Sequence, residues 1–174
     1  MLTPIGLDPG FGNLKATLIR EEPQVVVVPS VVGVGETDLG LLSLGTLGRR
    51  RRRRVPDQVS FAGVTYLVGE HVARFARPAR RERLDFLRLF DGPELRALDY
   101  DALFRLLGPG EHQVALMVGL PVVVMADRDQ ARATLRAWLL GEHRCAVNDA
   151  ALVLHVADVR ECGRNVGTSG TFFH

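Results

Sequence analysis

Lysine is almost missing from this chain. Of its 22 basic residues, 21 are arginine and one is lysine, Lys15. The net charge is only +2, so bulk attraction to polyanions is excluded as the chain's main property. Cysteine is scarce as well. Cys145 and Cys162 are the only two, with no CxxC spacing, which excludes a disulfide framework and points to a reducing compartment. Together with His143, His155 and His174 they lack zinc-ligand spacing. Long apolar runs are absent too. The longest, such as Val25 to Val28 and Leu120 to Ala126, fall well short of the about 20 residues that cross a bilayer. Met1 to Gly6 carries no basic n-region and no signal-peptide core. The expectation is a cytoplasmic protein with no membrane partner.

What is present suffices for a core. A chain of 174 residues, 47% apolar, fits one domain or two small lobes. It can bury roughly 70% of the surface its unfolded form exposes.

Periodicity outlines a mixed α/β fold. Ile5 to Asp8, Leu14 to Ile19 and Gln24 to Val28 read as a three-stranded antiparallel meander joined by tight turns. Val59 to Val68 reads as a hairpin around Gly63, with a short helix from Gly69 through Phe75. Arg80 to Phe90, Tyr100 to Leu107 and Asp127 to Leu140 are helical by spacing, with Gly108 and Gly141 as stops. Gln113 to Val118 is a buried strand. Ala146-Val147 and Leu152 to Val159 are strands about an Asn148-Asp149 turn. Pattern is lost from Glu161 onward. Helices packed on one mixed sheet follow from this order.

The stretch from Asp8 to Lys15 carries the chemistry. It joins two strands, which excludes a Walker-A loop and a dinucleotide fingerprint, since both lead into a helix. Two glycines at alternate positions, Gly10 and Gly12, let backbone N–H groups converge on an anion. An aspartate ending the first strand, Asp8, can hold Mg²⁺ through water. A lysine on the returning strand can reach terminal phosphates as a point charge. In a chain that uses arginine everywhere else, lysine here suggests a need for a compact ammonium.

These residues resemble the actin-like ATPases of the ParM/StbA plasmid-segregation type, within the actin, sugar-kinase and heat-shock-chaperone superfamily. The first phosphate loop of that family is similar to Asp8-Pro9-Gly10-Phe11-Gly12-Asn13-Leu14-Lys15. Val28-Pro29-Ser30-Val31-Val32, Tyr66-Leu67-Val68-Gly69-Glu70 and Val118-Gly119-Leu120-Pro121-Val122 resemble three further family segments, in the same order. The resemblance implies a ribonuclease-H-like, actin-type lobe over residues 1–160. It implies ATP and Mg²⁺ as ligands, with Asp8 positioning the metal, Gly10, Phe11, Gly12 and Asn13 offering N–H groups, and Lys15 on the β/γ-phosphates. It also implies self-association into filaments and a DNA-adaptor protein as partner.

The resemblance covers only the first lobe. A second phosphate loop and an adenosine motif are not in the sequence, so the expectation is an incomplete lobe that does not hydrolyse ATP alone and has no catalytic residue of its own. Glu161 stands where a water-orienting side chain would be sought, and 161–174 reads as a divergent or truncated tail. Residues 49–90 hold 12 arginines against Asp57, Glu70, Glu82 and Asp85. Six of those arginines run from Arg49 to Arg54, inside an expected mobile loop at about 40–58. A non-enzymatic module binding DNA or an acidic protein through this band is the alternative reading.

Overall fold

The computed structural model describes residues 2–10, 12–35, 55–76, 92–120 and 128–163. Nine strands form one sheet: β1 (Thr3–Pro9), β2 (Asn13–Leu18), β3 (Gln24–Pro29), β4 (Val32–Val34), β5 (Asp57–Phe61), β6 (Val64–Val68), β7 (Gly110–Leu120), β8 (Gly141–Val147) and β9 (Ala150–Gly163). Among the described residues two α-helices, α1 (Pro93–Leu107) and α2 (Arg128–Leu139), accompany it. The strand order is β3-β2-β1-β7-β9-β8-β5-β6-β4. β1, β7 and β9 run parallel, while the flanking pairs are antiparallel.

The expected meander is β1–β2–β3. Ile5, Leu7, Leu14, Ala16, Leu18 and Val28 alternate into the core, and their neighbours face outward. Two hairpins turn on residues in left-handed backbone. Ala62 and Gly63 have φ of 50° and 75°, and Asn148 and Asp149 have φ of 50° and 67°. Two consecutive positive φ values match the right-handed twist of the strands they join.

The outermost strands of the order, β3 and β4, are neighbours in the chain, separated by Ser30 and Val31 alone. The Gly69 N–H donates to the Val31 carbonyl at 3.0 Å and continues the β4–β6 ladder by one pair. The sheet therefore curls, and α1 lies in its hollow, touching β2, β3, β4, β5, β6 and β8. This explains one difference from the sequence reading, which starts the helix at Tyr100. Every residue from Ala97 to Leu103 is buried, as are Leu95 and Leu106, so the buried positions of α1 surround it rather than form one stripe that marks its start. Pro93 at the first helical position opens it, and the Gly108 N–H closes it on the Phe104 carbonyl at 2.8 Å.

α2 buries Leu135, Trp138 and Leu139, the face expected from their spacing. Arg96 of α1 lies 5.1 Å over the Trp138 ring and joins the two helices by a cation–π contact.

Other expectations shift at their ends. The short helix after Gly69 is a single 3₁₀ turn, Val72–Arg74. Strand β4 is an addition, in a stretch to which the sequence pattern assigns no element. Asp57 and Gln58, expected as loop, begin β5. β9 runs through Gly163, past the break in pattern at Glu161, because its register against β7 shifts at Val114/Ala115 and steps over Ala157. That bulge turns Val159 toward the core after Leu152, Leu154 and Val156. The expected helix at Arg80 to Phe90, most of the expected 40–58 loop and the tail beyond 163 lie outside the described residues.

Candidate nucleotide-phosphate site

The glycine turn sits at the carboxyl end of β1, beside the carboxyl ends of the parallel strands β7 and β9. Such edges are where open α/β sheets bind ligands. The Gly10 N–H donates to the Asn13 carbonyl at 3.1 Å and closes the turn. Ser30, at the end of β3, braces the turn from behind. Its hydroxyl donates to the Gly10 carbonyl at 2.7 Å, and its N–H donates to the Gly12 carbonyl at 2.9 Å. Three carbonyls of the loop are thereby fixed. Among the described residues, no hydrogen bond engages the Gly12 N–H.

The two glycines have different reasons to be glycine. A Cβ at Gly10 would stand 2.5 Å from the Asn13 carbonyl oxygen, so the turn itself forbids any side chain. A Cβ at Gly12 would meet nothing within 4 Å. The chain's own packing makes no demand there, which leaves room for an approaching group. One expectation needs correcting: Gly10 does not offer its N–H outward, because that N–H closes the turn. Phe11 lies outside the described residues.

Asp8 pairs directly with Lys15, and Lys15 with Val27 on the next strand. Their chain neighbours Leu7, Leu14, Ala16 and Val28 are buried, so Asp8, Lys15 and Val27 share the outer face. Lys15 is exposed and makes no ion pair among the described residues. The structure therefore brings Asp8, Gly12, Asn13 and Lys15 to one strand edge. Glu161 does not join them. It pairs with Val118, which faces the core, so it projects from the opposite face to Asp8 and Lys15.

The residues present fit a hydrated magnesium ion. Among the described residues, no three His, Cys, Asp or Glu side chains group to cage a metal. A single carboxylate with water and phosphate oxygens is the coordination that Mg²⁺ favours.

The four motif segments meet here. Ser30 of the second braces the first, the Val31 carbonyl receives the Gly69 N–H of the third, and Val118 of the fourth pairs with Leu7. Ser30 is a positioning residue that sequence reasoning passed over; its signal was the Pro29-Ser30 pair just after a valine strand.

A second polar cluster ties α1 to the far half of the sheet. Arg105 pairs with Asp101 at 3.0 Å and also with Asp57. Asn148 donates its side-chain N–H to Asp57 at 2.7 Å and accepts the Gln58 N–H at 2.9 Å. Burial pushes the Asp101 carboxyl up to about 7, against the opposing pull of Arg105. Asp99, two residues earlier and also buried, is pushed up to about 8 for the same reason. His143 is held below its ordinary value by burial. Its Nε2 lies 2.8 Å from the Leu139 carbonyl, so Nε2 donates and Nδ1 accepts from the Tyr100 hydroxyl at 3.0 Å. A cavity of about 260 Å³ opens beside Arg105, lined also by Val27, Pro29, Asp57 and His71. Of the arginine band at 49–90, only Arg74 falls among the described residues.

Residues 6–162 match the family described as actin like proteins N terminal domain. Several solved structures share the fold. The apo psk41 ParM protein is 15% identical, with a TM-score of 0.68 over 92% of this chain and 49% of that one. The archaeal actin homologue Ta0583 is 18% identical, with a TM-score of 0.69 over 95% and 47%. The AlfA filament bound to AMPPNP is 16% identical, with a TM-score of 0.61 over 94% and 55%. AlfA is also known as a filament from the B. subtilis plasmid pLS32. The chain thus spans about half the length of the structures it matches. No curated protein sequence matches it. Among the described residues, no helix is long and apolar enough to cross a membrane.

Proposed function

This chain belongs to the actin-like proteins, as their N-terminal domain, and from that premise we propose that it is the phosphate-binding lobe of a filament-forming ATPase of the plasmid- or DNA-segregation kind. Its ligand is Mg-ATP, and its compartment is the cytoplasm. The observation that carries this reading is the glycine turn, braced from behind by Ser30 and open in front at Gly12.

Each residue has a distinct task. Gly12 and Asn13 present N–H groups to phosphate oxygens, as consecutive amides in a tight turn do for anions. The Lys15 ammonium neutralises charge on the terminal phosphates. Asp8 orients the magnesium ion through its water shell. The metal, when bound, shields the phosphate charge. Gly10 and Ser30 keep the turn in shape. Phosphoryl transfer is mostly positioning and electrostatics. With Glu161 on the opposite face, this lobe binds nucleotide and leaves hydrolysis to groups outside it. Self-association into filaments, and a DNA-adaptor protein as partner, complete the proposal.

Isothermal titration with Mg-ATP tests it. Weak binding is expected, abolished by Lys15→Ala and reduced by Asp8→Ala, with both variants still folded by circular dichroism. Absence of heat and of thermal shift at millimolar Mg-ATP would overturn the reading.

A further inference from the structure

β3 ends the strand order, and its ladder phase shows which of its backbone groups are free. The Ser30 N–H donates to the Gly12 carbonyl, in line with the Asn13–Pro29 register. In an antiparallel pair, hydrogen-bonded and non-bonded residue pairs alternate. The even-numbered residues Gln24, Val26 and Val28 therefore exchange bonds with β2. The odd-numbered Val25 and Val27 turn both N–H and C=O away from the sheet. The neighbouring ladder agrees: the Gly10 N–H reaches Asn13 and the Ile19 N–H reaches the Pro4 carbonyl, so odd-numbered β2 residues bond β1. Among the described residues, no other strand pairs with this edge. Val25 and Val27 are also 56% and 49% exposed, the most exposed residues of the valine run.

The edge is complementary to itself. Pro23 and Pro29 bracket it, and neither can donate. Usable donors are thus confined to two residues spaced two apart. A two-fold axis through Val26 sets Val25 opposite the partner's Val27, and Val27 opposite the partner's Val25. All four outward donors then meet four outward acceptors, and the ladder stops where Pro29 meets the partner's Pro23. On the outer face the four valines form one apolar row, with cross-strand contacts of the kind that stabilise sheets.

We propose that β3 is a two-fold pairing edge through which a second copy of this chain extends the sheet antiparallel to itself. The contact is made by backbone and valine alone and needs no nucleotide, so its failure leaves the Mg-ATP reading as it stands.

Sedimentation velocity over a concentration series tests it. The unmodified chain is expected to show a reversible monomer–dimer equilibrium without nucleotide. Val25→Pro removes one outward donor per copy and spares the β2–β3 ladder, so dimerisation should weaken at least about tenfold, which is about 1.4 kcal/mol. Val25→Lys places a charge in the valine row and should weaken it likewise, serving as the second variant if the proline variant does not fold. A chain that stays monomeric throughout, or association unchanged in the folded variants, would overturn the proposal.

Discussion

Lys15 and Ser30 divide the work at the turn. Lysine supplies charge to the outer face, and serine supplies shape from within. Ser30 is buried, and its hydroxyl bond to the Gly10 carbonyl leaves that carbonyl without its side-chain partner if removed. Ser30→Ala should therefore cost about 1–2 kcal/mol of stability. Its effect on nucleotide binding should be larger than any other substitution that touches no ligand, because a loosened turn no longer presents the Gly12 amide at a fixed angle. Thermal unfolding and Mg-ATP titration of the same variant read the two effects separately. Lys15 was legible in the sequence through contrast, as one lysine against 21 arginines. Ser30 was legible only as a member of the Val28-Pro29-Ser30-Val31-Val32 segment; its bracing role was not, because that shows only when the distant loop it supports is seen beside it.

At the scale of elements, the β8–β9 turn does more than reverse the chain. Asn148 bonds Asp57 and the Gln58 N–H, and its own N–H donates to the Gln58 carbonyl at 2.8 Å. It fastens β8–β9 to β5, where among the described residues Val59–Val147 and Ser60–Ala146 alone pair. Asn148→Gly keeps the left-handed backbone and loses the side-chain bonds, at about 1–2 kcal/mol. Asn148→Ala loses the bonds and adds about 1 kcal/mol or more of backbone strain. Urea denaturation should rank the two variants in that order. The turn itself was legible, since an Asn-Asp pair between apolar runs is a hairpin signal. Its grip on β5 was not, because a contact across about ninety residues leaves no local trace. The same contrast holds for the strands and α1. Strands β1 to β3 alternate because one face is dry and one wet, so their pattern can be read. From Ala97 onward α1 is buried on several faces, with Ala97, Leu98, Asp99, Tyr100, Asp101 and Ala102 all buried, so its apolar positions make no single stripe to read.

The whole molecule carries an unusual titration. Asp99 and Asp101 are ordinary carboxylates in the unfolded chain, with a pKa of 3.8, but rise to about 8 and about 7 when folded. The folded state then holds protons the unfolded state has released, so stability contributed by these groups is lost as pH rises through 7 and 8. His143 works in the other direction. Its lowered value favours the folded chain only above about 6.5, and that benefit disappears on acidification. The contribution of Asp99 and Asp101 declines from about pH 4 upward and is spent by about pH 8, so the melting temperature should be higher near pH 5 than near pH 8 and change little from these groups above that. Asp99→Asn should flatten that decline, as read by differential scanning fluorimetry across pH. These carboxylates lie on the helix that the curled sheet encloses. Among the described residues β5 and β8 meet through two residue pairs alone, and both strands touch that helix. This narrow ladder is the latch of the hollow: parting it would open one side of α1, and both carboxylates with it, to water.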